Sequence, residues 1–217
     1  MLPKVVKDNL LDPHFYLDLI IIFLTVFLIR TFVVSPFWVS GPSMCNTLNY
    51  FNDEYCEWGK GDIMLIDSLS YLNFGFNESS LVNNNDVVVF KLRDNSGRYL
   101  VKRIIASSGE TIRIENGYVY KLIDNEFIRL DEPYLNETNK HQTFLSFSNA
   151  ETFVVPDGYY FVMGDNRLNS SDSRNCFYKN SDIPCSASNL DAFVSRDQIR
   201  GKAWLVVYPF SHFGFIN

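Results

Sequence analysis

A chain of 217 residues can bury a core as one large domain or as two small ones, so size excludes little. Its net charge of −6, with no run of Lys and Arg, excludes a nucleic-acid partner, because phosphate binding needs clustered cations. The 19 Phe and 12 Tyr are many for a soluble protein and are unevenly spread, which draws attention to one apolar segment near the start.

That segment runs from Phe15 to Val34 as FYLDLIIIFLTVFLIRTFVV, about the length a helix needs to cross a bilayer's hydrocarbon core. Only Asp18 and Arg30 are charged, both toward the ends, where Arg can snorkel and Asp can stay in headgroup water. The competing readings are a buried core helix and a cleaved export signal. The apolar core is longer than an export signal's, and Val33-Val34-Ser35-Pro36 offers no small-x-small cleavage site, so a retained anchor is expected. Lys4 and Lys7 favour a cytoplasmic N-terminus, with Arg30 at the opposite end. The expected organisation is a short cytoplasmic N-terminus over 1–14, a single transmembrane helix over 15–34 and an extracytoplasmic domain over 35–217.

Beyond Val34 the chain reads as mainly β, short strands between Gly, Asn and Asp turns that build an antiparallel sheet. Val87 to Phe90, Tyr99 to Ile105, Thr111 to Ile114 and Tyr118 to Tyr120 are β-branched or aromatic runs, and Asn116-Gly117 is a type I′ hairpin signal. Phe153 to Val155, a turn at Pro156-Asp157-Gly158, Tyr159 to Met163 and Ala203 to Tyr208 complete the set. From Asp131 to Ala150 the composition turns polar and irregular, which fits a mobile insert, part of a smaller β cap over about 115–155. His14, His141 and His212 are scattered and read as surface residues. Cys45, Cys56, Cys176 and Cys185 form no CxxC pair and have no His at ligand spacing, so no metal is expected. If the C-terminal part lies outside the cytoplasm, Cys176 and Cys185 can close a small disulfide loop. Cys45 and Cys56 stay open between a second pair and two free thiols.

Three constellations carry chemistry. Ser40-Gly41-Pro42-Ser43-Met44 follows the apolar segment almost directly, and a Gly-Pro-Ser turn can expose a hydroxyl while its backbone N–H groups face an oxyanion. Lys102 sits in the apolar strand Tyr99 to Ile105, on the face of Leu100 and Ile104, while Arg103 points the other way with Val101 and Ile105. One of the two cations is expected inside. A Lys among apolar side chains loses solvation for its charged form, so its neutral amine can serve a serine nucleophile as base. The alternative is a lysine snorkelling from an edge strand. The third constellation, Gly164 to Arg174, packs hydroxyls, carboxylates and arginines directly after an apolar strand.

These segments, in this order after one apolar helix, resemble the conserved boxes of bacterial type I signal peptidases, the Ser/Lys proteases of the leader peptidase family. Asp86 to Lys91 resembles the strand between the nucleophile and the lysine, and Val155 to Arg167 resembles the approach to the last box. The resemblance implies Ser43 as nucleophile, Lys102 as general base and Ser170 as the group orienting the lysine amine. It also implies Asp165, Asp172 and Arg174, with Arg103, as a supporting ion-pair network. The Ser43 backbone N–H is the implied oxyanion donor. One branch of the family adds a serine hydroxyl two positions before the nucleophile; Gly41 stands there, so either Ser40 reaches across or that donor is absent. Asn46 replaces a usual proline, and 175–195 is longer than usual, an extra loop.

The implied mechanism is proton transfer from Ser43 to neutral Lys102, an acyl-enzyme, and release by a water that Lys102 activates, with no cofactor. The implied substrates are exported preproteins with small residues at the first and third positions before the scissile bond, cut at the outer face of the plasma membrane, the lipid bilayer being the other partner. Two readings compete. A self-cleaving Ser/Lys repressor-type protease would carry a DNA-binding domain where the apolar segment stands. A catalytically inactive, membrane-tethered β-domain that binds signal peptides would have no need to keep Ser43, Lys102 and Ser170 together. Relatives of the eukaryotic reticulum carry His at the Lys102 position, so the resemblance is to bacterial or organelle-type enzymes. The sequons at Asn77, Asn136 and Asn169 match chance in a chain so rich in Asn and Ser.

Overall fold

β-Branched and aromatic runs punctuated by turn residues favour antiparallel pairing, and this chain folds accordingly. The computed structural model describes residues 13–28, 34–45, 47–49, 61–68, 83–93, 96–146, 148, 150–177 and 185–216. Lys4, Lys7, Arg30, Asn46, Cys56 and Asn77 lie outside them. The first element, α1 (Pro13–Leu28), has 16 residues and is apolar apart from His14, Asp18 and Thr25, with its side chains from Pro13 to Phe27 exposed. No helix among the described residues is long and apolar enough to cross a membrane. The expected span also ends differently. Val34 is not helical but opens β1 (Val34–Trp38), paired antiparallel with β2 (Ile63–Asp67). Pro36 is tolerated because β1 is an edge strand, whose outer side needs no donor.

The larger sheet continues with β3 (Val87–Lys91), β4 (Tyr99–Ala106), β9 (Tyr159–Met163), β10 (Val194–Ser195), β11 (Ile199–Tyr208) and β12 (Gly214–Phe215). Its order is β1-β2-β11-β3-β4-β9-β10, with β12 on β11. Val87 to Phe90 are all buried, as expected of a strand covered on both faces. Alternation sends Val87 and Val89 to a cluster with Met44, Leu48, Met64 and Ile66, and Val88 and Phe90 to another with Ile104, Tyr160 and Val162. In the β3–β4 pair, Val87 stands opposite Arg103 and Val88 opposite Lys102. The two cations therefore leave the same strand on opposite faces.

The smaller sheet is formed by β5 (Thr111–Glu115), β6 (Tyr118–Ile123), β7 (Glu126–Arg129) and β8 (Ala150–Val154), in the order β7-β6-β5-β8. Asn116 (φ 53°) and Gly117 (φ 84°) are both left-handed, the geometry expected of the hairpin turn between β5 and β6. Ile112, Ile114, Val119 and Phe153 pack from this sheet onto Phe161 and Met163 of β9. The polar segment after β7, expected to be a mobile insert, is instead fastened. Leu135, Asn139 and Thr143 are buried, and Thr143 bridges Gly117. The extra loop over 175–195 is likewise only partly a loop. Cys176 is bonded to Cys185, Ala192 and Phe193 are buried in the core, and β10 pairs with β9. Burying those apolar side chains stabilises the segment more than solvent exposure could.

Candidate active site

Pro42–Met44 form a single 3-10 turn, entered through extended Gly41 with Pro42 at its start. Met44 and Leu48, both fully buried, anchor the turn in the core, which leaves Ser43 half-buried between them and solvent. β4 delivers Lys102 to the same point. Its Nζ donates to Ser43 Oγ at 2.6 Å and to Val101 O at 2.9 Å, and the side chain is 2 % exposed. Burial pushes the amine pKa from 10.5 down to about 8, and Arg174 adds to that; Asp172 and Asp165 pull the other way. On the order of a tenth of the amine is then neutral at pH 7, against less than a thousandth for an unperturbed lysine.

Arg103 corrects the expectation that only one of the paired cations is inside. It is 1 % exposed, more enclosed than Lys102. Its Nε and Nη2 donate to the two Asp165 oxygens at 2.9 and 2.8 Å, its Nη1 to Asn85 O at 2.7 Å, and the guanidinium lies over the Tyr134 ring at 4.1 Å. A bidentate pair, with a further bond from each terminal nitrogen, is what permits such burial. Asp165 also accepts from Thr47 Oγ1, tying the nucleophile segment to the same carboxylate.

Asp172 makes the second pair. Arg174 Nε and Nη2 each donate to it at 2.9 Å, and Gly164 N at 3.0 Å. Burial alone would raise the Asp172 pKa, but the Arg174 charge and these hydrogen bonds outweigh it and hold the carboxyl below its ordinary value. The expected network of Asp165, Asp172, Arg174 and Arg103 is thus two separate pairs near the Ser43–Lys102 contact.

Ser170 departs from expectation. It lines the same groove, yet its Oγ is enclosed without a hydrogen-bond partner of normal geometry, its polar influence being a weak one on Asp172. The Lys102 amine instead donates to Ser43 and Val101. Gly164 explains how tightly these pieces meet, since a Cβ there would lie 2.3 Å from both Ser43 O and Ser170 Oγ. Asn166 completes the grip, its N donating to Ser43 O and its Nδ2 to Pro42 O, each at 3.0 Å. Ser40 is exposed at the groove's edge.

The sequence reading missed Arg167, Glu132, Tyr134 and Thr143. Arg167, 3 % exposed, pairs with Glu132, donates to Thr143 Oγ1, and donates from Nε to Gly164 O at 3.1 Å. Tyr134 OH donates to Glu132 at 2.8 Å. An available signal was the Glu132-Pro133-Tyr134 run, an aromatic between prolyl and apolar residues inside a polar stretch.

A groove of about 550 Å³ passes over Ser43 and Lys102, with Phe37, Val39 and Val101 on one side. Among the described residues no cluster could hold a metal ion. A serine hydroxyl in contact with a desolvated amine, set in an apolar groove, is chemistry that suits a peptidase. The family model for signal peptidase, peptidase S26, matches residues 14–208, a stretch that holds all three constellations. The chain belongs to the signal peptidase family. Removal of signal peptides is its activity, and it is a serine endopeptidase. It is 32% identical to signal peptidase I U of Bacillus subtilis (strain 168) over 89% of this chain and 86% of that one. It is 28% identical to signal peptidase IB of Staphylococcus aureus (strain MRSA252), over 96% and 95% respectively. A crystal structure of a signal peptidase I from Enterococcus faecalis V583 covers 56% of this chain and 95% of its own, at 26% identity and a TM-score of 0.39.

Proposed function

We propose that this peptidase works as a Ser43–Lys102 dyad, anchored to the plasma membrane by the apolar segment over 15–34 and cutting preproteins on the outer face. The 2.6 Å contact between a desolvated lysine and a serine hydroxyl carries this reading. The neutral amine takes the Ser43 proton as Oγ attacks the scissile carbonyl, then returns it to the leaving amine. The acyl-enzyme is released by a water that loses its proton to Lys102. The Ser43 backbone N–H stabilises the oxyanion. No cofactor enters these steps.

Residues 1–14 are placed in the cytoplasm and 35–217 outside it. In support, α1 has an apolar surface with every described side chain exposed, and Cys176–Cys185 is a disulfide, a bond that persists in oxidising compartments. A membrane-held site meets tethered preproteins at high effective concentration.

Since a protonated amine cannot accept a proton, kcat/KM is expected to rise about tenfold per pH unit up to about 8 and then level. A profile flat between pH 6 and 8 would rule out Lys102 as the base. The reading as a whole is tested with the full-length chain and a membrane-inserted preprotein in vesicles. Wild type is expected to cut after a small-x-small motif, with Ser43→Ala and Lys102→Ala folded and inert. Cleavage by either variant would sink the dyad.

A further inference from the structure

The groove has two apolar walls, one on each face of β4. Val101 joins Phe37 and Val39 on the first. Leu100, one residue away and so on the opposite face, joins Leu92 and Phe177 on the second. Small residues at the first and third positions before the scissile bond account for the first wall only. An extended peptide that sends those two side chains one way must send the second the other way.

Phe177 does not reach this wall by ordinary backbone preference. Cys176 (φ 52°) and Phe177 (φ 60°) are consecutive left-handed residues, neither of them glycine, a conformation that persists only where the surroundings impose it. Three constraints do so. The Asp172 side chain caps the turn Ser173–Asn175, Phe177 N donates to Asp172 O at 3.0 Å, and Cys176 is bonded to Cys185. The Phe177 ring then packs edge-on against Phe90 with centroids 5.6 Å apart, filling the side of the groove across from Phe37.

We propose that Phe177, held by the Cys176–Cys185 bridge, forms with Leu92 and Leu100 a subsite for an apolar side chain at the second position before the scissile bond. This rests on Ser43 and Lys102 being the peptidase dyad. It makes the disulfide a determinant of which preproteins are cut well.

The test uses the full-length chain and two preproteins that differ only in Leu or Ser at that position. Wild type is expected to favour Leu by about tenfold in kcat/KM, the range a hydrophobic pocket supplies. Phe177→Ser is expected to reduce the ratio to about twofold or less, and Cys176→Ser with Cys185→Ser to reduce it similarly. Phe177→Val is expected to fall between, and it decides the matter if Phe177→Ser does not fold. Equal cleavage of both preproteins by wild type, or an unchanged ratio in the Phe177 variants, overturns the subsite while leaving the dyad intact. No cleavage of either preprotein by wild type overturns the dyad and the subsite with it.

Discussion

Lys102→Met is expected to lower kcat/KM by on the order of 10⁴-fold or more and, at pH 7, to make the fold more stable by up to about 3 kcal/mol. The loss follows from removing the only group within reach of the Ser43 hydroxyl that can take its proton among the described contacts. The gain follows from desolvation, which moves the amine from 10.5 unfolded to about 8 folded. A base with a depressed folded pKa destabilises the fold most where both states would be protonated, below about pH 8. That penalty fades as pH rises toward 10.5, where the unfolded chain also loses its proton. Urea unfolding of both proteins at pH 7 and pH 10 checks the sign: the advantage of Met should be largest at pH 7 and shrink at pH 10. A variant less stable than wild type at pH 7 would mean that Lys102 is well solvated or well paired, and its role as base would fall.

Asp165→Asn is expected to cost about 3–5 kcal/mol, because it strands the Arg103 charge in the interior. Arg103 and Asp165 are 1 % and 0 % exposed, so water cannot replace the lost partner. Adding Arg103→Met to Asp165→Asn should recover most of the loss in the urea midpoint, since the uncompensated cation is then gone. Activity should not return with stability. Asp165 also holds Thr47, and without that contact the segment that carries Ser43 loses a fixed point. If the double variant is as unstable as Asp165→Asn alone, packing against Tyr134 rather than charge dominates at Arg103.

How far the sequence carried these results depended on the range of the interaction. Strands β3, β4, β5, β6, β8, β9 and β11 were visible because alternation and turn chemistry are local. The Asn116-Gly117 hairpin was visible for the same reason. β1 was hidden, since its apolar residues continue the hydrophobic run before it and nothing local marks the change from helix to strand. Ser43 and Lys102 were legible through family resemblance joined to the apolar context of Lys102. The members of the two buried ion pairs, Arg103, Asp165, Asp172 and Arg174, were legible through the same resemblance, whereas the choice of Asp165 as the partner of Arg103, the grip of Arg167 on Glu132 and the place of Tyr134 under Arg103 were not. Each depends on a partner from a remote strand or loop, and composition alone reads such a stretch as solvated. The bond expected between Ser170 and Lys102 failed at a finer scale. It required the direction of one hydroxyl, which no pattern of residue types specifies.

Asn166 is hydrogen-bonded to the main chain on both sides of the nucleophile, and its side-chain contact with Pro42 joins residues 124 positions apart. In a chain made from the N-terminus, the hydroxyl of Ser43 exists long before the loop that fixes it. Arg103, beside Lys102 on β4, likewise waits for Met163 of β9 and for Asp165 just beyond it. Contacts of such sequence separation form late in folding. A chain made only as far as β8 therefore carries Ser43 without the main-chain contacts that hold it in the folded protein.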